Sequence, residues 1–571
     1  MKTHAAPEAE WMTSGVGHPR RWPILAVLVV SLLVVVLDNT VLNIALPTIQ
    51  QDLKATPSEL VWAVDSYILT FAALLFTWGV LGDRLGRKRV LIFGLVLFAA
   101  ASVVCAFSVD PGMLIGFRAL MGVGGAAVLP TTLAIITVVF PPHERGKAIG
   151  LWAGAVGAAV ALGPVLGGLL LQHPDWFRWL TGNDWGAVFL INAPIVVVGL
   201  IAILRVVPET KNPAPKRLDV TGLLVSITGL TLLIYGIIDA SRTRDWLAPT
   251  VIGPIIAGIA IIGLFLWIEA RSDHGSFDVG LFRNRGYAVS LVAVSLAFFA
   301  LSGITFTLPF YLQILRGFDP LTAGLCFVPF AAGQLIAAPQ SAAMVAKLGY
   351  RAVMTTGLLL VALSLIGLTL ISLDSPIWML LVGFFIFGLG MGSVIAPAST
   401  VMQNVLPLAR AGAGSAVQNT VRQVGGALGV AIIGTLLATQ YSALATPILA
   451  QLGLSDEVVA TAAESIIATD AVLNSLPAAI SAQAQSQVFT VFLDASHMTY
   501  FVSLAIVLIA AVIVGFGLPH ITPPKAHRPI PADSSVDELI AHEVQVYPTE
   551  LAEEMNDSDA QPETEPPVSR Q

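Results

Sequence analysis

The sequence predicts an all-α protein that crosses a membrane many times, and three observations support that fold class. Hydrophobic residues make up 56% of the 571 positions and charged residues only 11%, whereas soluble proteins carry about 25% charged residues. The mean hydropathy is +0.82. The apolar residues also fall into runs of about 18 to 26 residues, the helix length that crosses a hydrocarbon core about 30 Å thick.

Fourteen such runs follow one another along the chain. The first begins at Trp22, after Arg20 and Arg21, and it is too long for the core of a signal peptide. An even number of spans places both termini on the same side of the membrane. The predicted spans are 22–46, 59–81, 90–108, 112–136, 146–171, 186–206, 218–239, 249–269, 287–312, 321–345, 352–373, 376–400, 412–438 and 497–518.

The charged residues between the spans assign the orientation. Most of the 29 Lys and Arg residues fall on the side of the N-terminus, which the positive-inside rule identifies as the cytoplasm. The net charge of −7 is concentrated in the tail 519–571, so it does not indicate a nucleic-acid partner. Cys105 and Cys326 both lie in apolar runs, so we expect no disulfide framework and no metal site.

A basic turn between the second and third spans reads GVLGDRLGRKRVL at 79–91. Its glycines allow close helix approach or a positive φ, and an aspartate among arginines is placed to hold a polar latch. The alternative is an ordinary basic loop that only orients the protein. We assign a cytoplasmic gate to Gly79, Asp83, Arg84, Gly86, Arg87 and Lys88.

Two weak internal sequence repeats indicate a duplicated architecture. The sequence RLGRK after span 2 returns as KLGYR after span 10, and the glycine-rich pattern with Pro130 in span 4 returns with Pro397 in span 12. An offset of eight spans is what two six-helix halves with a two-helix insert produce.

The predicted domains follow from this arrangement. They are a cytoplasmic N-terminal segment 1–21, an N-terminal six-helix bundle 22–206, a two-helix insert with cytoplasmic linkers 207–285, a C-terminal six-helix bundle 286–518 and an acidic disordered cytoplasmic tail 519–571. The C-terminal bundle includes an extracytoplasmic loop 439–496 with a helical hairpin.

Charges at membrane depth mark candidate functional residues, because each costs about 2.5–3.5 kcal/mol on insertion scales. Asp38, Asp65 and Arg118 lie at comparable depth in the first half, as a carboxylate–guanidinium proton switch requires. A buried ion pair that only fixes helix packing is the alternative. The second half has no Asp or Glu away from its span ends, and we take Gln334 and Arg422 as candidate cavity residues there.

These stretches resemble a known family. The turn at 79–91 is similar to the hallmark loop of the major facilitator superfamily. The segments LDNTVLNIALP at 37–47 and WAVDSY at 62–67 resemble the fourteen-span drug:proton antiporters of the EmrB/QacA type. Arg118, followed by glycines at 122 and 124, matches the span 4 motif. The span 5 motif of antiporters is matched by Gly163, Pro164, Gly167 and Gly168.

The resemblance implies a monomeric secondary transporter in a bacterial plasma membrane that exchanges entering protons for a departing small molecule. The substrate is expected to be hydrophobic and cationic, and the proton gradient replaces any cofactor. Gln334 stands where some relatives carry an acid, which argues against strongly dicationic substrates. One alternative is export of an endogenous lipid, siderophore or self-made antibiotic. The other alternative is a membrane-embedded enzyme. The sequence argues against it, because it contains no His/Asp pair, no metal-ligand cluster and no phosphate loop.

Overall fold

The structure, a computed structural model, describes residues 17–55, 57–211, 219–243, 245–271, 279–406 and 411–521. Within these ranges the chain forms helices and no strand. Most of the predicted N-terminal segment 1–21 and of the tail 519–571 lies outside the described residues. The all-α fold class predicted from the sequence is confirmed.

The first part of the chain forms eight helices among the described residues. They are α1 (Arg21–Leu53), α2 (Pro57–Leu85), α3 (Arg87–Ala106), α4 (Pro111–Val139), α5 (Pro142–Gln172), α6 (Asp175–Thr181), α7 (Ala187–Leu190) and α8 (Asn192–Val206). The next two, in the predicted insert, are α9 (Val220–Thr243) and α10 (Pro249–Arg271).

The second half starts with a short 3₁₀ turn, Val279–Arg283. The helices that follow are α11 (Arg285–Phe310), a π-helical extension Tyr311–Leu315, α12 (Pro320–Leu325), α13 (Val328–Thr369), α14 (Ile377–Val405), α15 (Ala411–Ala450), α16 (Asp456–Ala463), α17 (Ile466–Asn474) and α18 (Ala478–Gly517).

Local sequence explains where several helices begin and bend. The Asp110 side chain caps α4 by accepting the Met113 N–H at 2.9 Å, and Pro111 follows it in the first turn, the arrangement favoured at helix starts. Gly349 interrupts α13 with a φ of 80°, which suits glycine because a side chain is strained there.

Twelve segments of the described residues are long and apolar enough to cross a membrane. One of them, Leu321–Thr369, has 49 residues and contains the bend at Gly349, and predicted spans 10 and 11 fall on its two arms. The helix that matches predicted span 5, α5, has 31 residues and is not one of the twelve. The chain is a multi-pass membrane protein, and the count of fourteen spans stays a prediction.

The helices pack as two groups joined along a few contacts. In the first group α1 packs on α5, α2 on α4, and α3 on α4 and α8; in the second, α11 packs on α15 and α18, and α13 on α14 and α18. The inserted helices α9 and α10 pair with each other, and α9 also lies against α2 and α15. Contacts between the groups join α15 to α2 and α4, and α13 to α5.

The predicted loop 439–496 is mostly helical, and the two helices around it reach far into it. The helices α15 and α18 have 40 residues each, about 60 Å at 1.5 Å per residue, which exceeds the hydrocarbon thickness. Their ends and the short helices α16 and α17 share a separate apolar cluster that includes Tyr441, Leu473 and Phe492. The segment therefore forms by continuation of the long helices beyond the length of a membrane span.

Candidate functional site

A buried ion pair joins two of the predicted charges. Arg118 of α4 donates from Nη1 to Oδ2 of Asp38 on α1, and the two residues are 0% and 3% exposed. The other carboxylate oxygen of Asp38 accepts a 3.0 Å hydrogen bond from Nδ2 of Asn192. Asn192 also donates to the hydroxyl of Ser102 at 3.0 Å, so α1, α3, α4 and α8 meet in one polar network.

The guanidinium of Arg118 has further partners on α2. Its Nε donates to the Ala63 carbonyl at 3.2 Å, and its Cζ lies 4.4 Å from the centre of the Tyr67 ring. Its Nη2 is buried and has no hydrogen-bond partner among the described residues. One nitrogen of the guanidinium is therefore available for a new interaction if Asp38 moves or is protonated.

Glycines explain how Arg118 comes so close to α2. A Cβ at Gly122 would lie 2.5 Å from the Tyr67 carbonyl oxygen, so only glycine allows the two backbones to touch. Thr70 of α2 donates to the Ala119 carbonyl at 2.8 Å across the same contact. The RxxxGxG motif thus places the arginine against α2.

The structure places Asp65 on another face of α2. Ala63 and Tyr67 contact Arg118, and Asp65 lies two residues from each, about 200° around a helix with 3.6 residues per turn. Leu69, one turn later on the face of Asp65, packs in a cluster with side chains of α9. Asp65 is partly buried, and it lies on the side of α2 that carries Leu69, away from the side that carries Tyr67.

The two halves also meet at the end of the bundle where the chain turns at Gly86 from α2 into α3, called here the basic end. The carboxylate of Asp83 accepts the backbone N–H groups of Gly412 at 2.9 Å and Ala413 at 3.0 Å, at the start of α15. It also accepts from Nε and Nη2 of Arg87 at 2.9 and 2.7 Å. A negative charge at a helix N-terminus is favourable, so Asp83 ties the first half to the second.

Close packing and a polar network accompany this contact. A Cβ at Gly79 would lie 2.5 Å from the Gly412 carbonyl oxygen, so glycine is required there. On α4, the Thr137 hydroxyl donates to Oε1 of Gln403 at 3.1 Å. Nε2 of Gln403 in turn donates to Oε1 of Gln418 at 3.3 Å. The sequence analysis did not foresee that uncharged amides would also join the halves.

The remaining gate residues organise the turn itself. Gly86 has a φ of 112°, a conformation that strains any side chain, and a Cβ there would lie 2.6 Å from the Glu209 carboxylate. The same carboxylate accepts the Lys88 backbone N–H at 3.1 Å. Arg84 is partly buried near the end of α2. These residues therefore shape the turn between α2 and α3.

The glycines of the predicted antiporter motif lie between neighbouring helices. Cβ atoms at Gly163 and Gly167 would press on α1, and one at Gly168 would lie 3.4 Å from Leu321 of the second half. Pro164 belongs to α5, and its side chain lies outside the described part. The motif thus sits where α5 is packed both on its own half and on the other.

The two candidate residues of the second half are buried and only partly satisfied. Gln334 is 1% exposed and donates from Nε2 to the Ala153 carbonyl of α5 at 2.7 Å, while its Oε1 has no partner among the described residues. Arg422 is 5% exposed, and its Cζ lies 5.0 Å from the Phe298 ring centre and 6.0 Å from that of Trp152. These aromatic rings belong to different halves.

Two residues of the ion-pair network were missed as functional candidates. Asn192 and Ser102 are uncharged, and neither stood out by charge. A signal was available for Asn192, because a buried amide in an apolar helix needs hydrogen-bond partners. Which partner it meets depends on helix rotation, which the sequence does not show.

Comparison with known proteins supports the same architecture. The model of the Major Facilitator Superfamily matches residues 28–430. The chain is 34% identical over 498 residues to the multidrug efflux pump LfrA of Mycolicibacterium smegmatis, covering 87% of this chain and 96% of that protein. It is 32% identical over 441 residues to the tetracenomycin C resistance and export protein of Streptomyces glaucescens, covering 77% and 80%.

A solved structure agrees at the level of fold. The proton:xylose symporter XylE superimposes with a TM-score of 0.56 at 15% identity, covering 87% of this chain and 96% of that one. Family and relatives are transporters of small molecules rather than enzymes. The chain belongs to the major facilitator superfamily, in the drug:proton antiporter family that its motifs resemble.

Proposed function

We propose that the protein exports hydrophobic, cationic compounds in exchange for entering protons. The observation that carries this proposal is the buried pair of Asp38 and Arg118, which is held by Asn192 and lies at membrane depth. A carboxylate whose charge is balanced by an arginine can accept a proton when the two separate, because arginine stays charged. The pair is thus suited to couple protonation to helix movement.

Protonation of Asp38 at Oδ2 removes the negative partner of Arg118. The guanidinium is then a buried charge without its counter-ion, and such a charge is strongly unfavourable. Arg118 is held to α2 by Ala63 and Tyr67, whereas Asp38 belongs to α1. Because the two side chains belong to different helices, loss of the ion pair removes a contact that holds α1 against α2 and α4, and α1 can then shift.

Alternating access requires that the basic end open and close. The contacts of Asp83 with Gly412 and Ala413 hold that end shut, and positive-inside orientation makes it the cytoplasmic end. Asp65, on the side of α2 that carries Leu69, serves the substrate cation. Both termini are cytoplasmic in this proposal.

The energy available is sufficient for concentrative export. One proton that enters across 100 mV supplies about 2.3 kcal/mol, enough for about fiftyfold accumulation of one exported molecule without net charge. Exchange of one proton for one monovalent cation moves no net charge, so export of such a cation draws on the pH gradient or on more than one proton for each substrate. No cofactor is required.

Export of an endogenous metabolite is the second candidate. The similarity to a tetracenomycin C resistance and export protein favours it, and the helical extension formed by α15 to α18 offers a surface to a cell-envelope partner. The chemistry of coupling is the same in both cases. Substrate screening distinguishes them.

Ethidium transport in oriented proteoliposomes tests the first candidate. Gradient-dependent export by the wild type, lost in Asp38→Asn and weakened in Asp65→Asn, is the expected result. Asp456→Asn, on the exposed start of α16, is the matched control and should transport normally. Undiminished gradient-dependent transport by Asp38→Asn contradicts the coupling role, and no ethidium transport by the wild type favours a metabolite substrate.

A further inference from the structure

We propose that Arg422 binds a carboxylate of the transported compound, so that the second half of the cavity selects amphipathic acids or zwitterions. This inference rests on the proposed export function and extends it to substrate chemistry. It assigns the first half to the proton and the second half to an anionic group. A substrate with a cation and an acid can then use both halves.

The first observation is a buried charge without a counter-ion. Arg422 is 5% exposed, and it makes no hydrogen bond or ion pair with any described residue. It lies eleven residues after the start of α15, about 16 Å along the helix. An isolated cation at that depth is costly, so its retention calls for a partner that arrives from outside the protein.

The second half offers no acid of its own to serve as that partner. Away from the span ends, the described helices α11, α13, α14 and α15 contain no Asp or Glu. In the first half, the carboxylate of Asp38 is already bonded to Arg118 and Asn192. No ion pair joins Arg422 to a described carboxylate, so the counter-ion in this proposal is a carboxylate of the ligand.

The third observation is the position of Arg422 between the halves. The Phe298 ring, 5.0 Å away, belongs to α11, and the Trp152 ring, 6.0 Å away, belongs to α5 of the first half. Aromatic rings on both sides provide apolar surface for an aromatic substrate. They also partly compensate the charge while the site is empty.

Two buried amide oxygens without a partner among the described residues lie on α15 and on α13. Asn419 is 0% exposed and three residues before Arg422, on the same face of α15, and its Oδ1 has no partner among the described residues. Oε1 of Gln334, on α13, is also buried and has no hydrogen-bond partner among the described residues. These amide oxygens suit hydroxyl or N–H groups beside the carboxylate of a ligand.

A purely structural arginine makes a different prediction. If Arg422 only packed against aromatic rings, its replacement would affect acidic and neutral ligands equally. If it binds a carboxylate, only ligands that carry the acid should depend on it. A pair of probes that differ in this group alone separates the two.

Rhodamine 110, a free carboxylic acid, and its methyl ester rhodamine 123 form such a pair. We would measure equilibrium binding by fluorescence anisotropy to the purified full-length protein in detergent. The wild type should bind the acid at least about tenfold more tightly than the ester, since a hydrogen-bonded charge pair is worth that much. Arg422→Gln should abolish the preference and leave ester binding unchanged, and Arg422→Lys should retain part of it.

A folding control accompanies the binding curves. The acid should raise the melting temperature of the wild type, because a ligand stabilises the state that it binds, and it should not raise that of Arg422→Gln. Equal binding of the two dyes by the wild type, no binding of the acid, or an equal loss of both dyes in Arg422→Gln overturns the proposal.

The outcome is independent of proton coupling. Binding is measured without a gradient, so a failure of Asp38→Asn to alter transport leaves the Arg422 result unaffected. Conversely, the acid preference of Arg422→Gln is scored against ester binding by the same variant, so it does not depend on whether the wild type exchanges protons for ethidium. The two proposals can therefore fail separately.

Discussion

The first half of the bundle and the second each bury one arginine within a membrane span, and the surroundings of the two differ. Arg118 is bonded to Asp38, to a backbone carbonyl and to an aromatic ring. Arg422 has aromatic neighbours but no counter-ion among the described residues. The same side chain is thus neutralised internally in one half and left for an external partner in the other.

Depth in the membrane alone therefore does not define the role of a buried charge. A paired charge is stable at rest and becomes costly when its partner is protonated, which suits coupling. An unpaired charge is costly at rest and is relieved by a ligand, which suits recognition. The predictions that follow alter one partner at a time.

The largest effect is expected from Asp38→Asn, which leaves Arg118 unpaired. Removal of one member of a buried ion pair costs about 3–5 kcal/mol, so thermal unfolding should occur at a clearly lower temperature. Arg118→Gln on the same background should recover part of the stability without restoring transport. Full stability of Asp38→Asn would show that the pair is not a significant internal interaction.

A smaller effect is expected from Asp83→Asn, which weakens a charge that bridges the two halves. Hydrogen bonds to a charged group contribute about 1.5–3 kcal/mol each, so the basic end should open more often. Hydrogen–deuterium exchange at the start of α15 should increase in the variant. Protection equal to wild type at Gly412 and Ala413 would argue against a latch.

An effect of opposite sign is expected from Arg422→Met. Replacing an unpaired buried charge by an apolar side chain should stabilise the ligand-free protein by about 1 kcal/mol or more. Thermal unfolding followed by tryptophan fluorescence measures the change. A marked loss of stability would mean that Arg422 has an internal partner and would remove the contrast with Arg118.

The smallest effect is expected at the part-exposed ion pair of Arg21 and Glu144. Its loss gives a reference for the stability changes at the buried charges. The hydrogen bond from Arg21 lowers the pKa of Glu144 below the ordinary value of 4.5. The pair joins α1 to α5, with Nε of Arg21 2.6 Å from Oε2 of Glu144. Glu144→Gln should cost less than about 1 kcal/mol at pH 7. Because the pKa is lowered in the folded state, the difference from wild type should be complete above pH 4.5 and vanish as the pH falls through the lowered pKa.

Most of the fold could be predicted from sequence because long apolar runs have one solution in a bilayer, the helix. Among the described residues, each predicted span overlaps one helix, two consecutive helices or one arm of α13. The length of α15 and α18 was not predicted, because their outer turns are Ala-rich and polar rather than apolar. Hydropathy marks the membrane boundary and not the end of a helix.

The site was only partly predictable. Asp38 and Arg118 stood out because charges are rare in apolar spans, but their pairing depends on helix rotation. For the same reason the sequence placed Asp65 at comparable depth without its orientation, and in the structure it lies on the side of α2 that carries Leu69. The Gln403 and Gln418 bridge was not foreseen, since neutral amides carry no charge signal.

The long helices α15 and α18 have a mechanical consequence. Each helix is continuous from the bundle to the apolar cluster around Tyr441 and Phe492. The cluster therefore moves together with the second half. A rotation of about 10° over a helix about 60 Å long displaces its far end by about 10 Å. An antibody fragment that clamps this cluster to a fixed surface would therefore arrest the rocking motion that we propose, without entering the cavity.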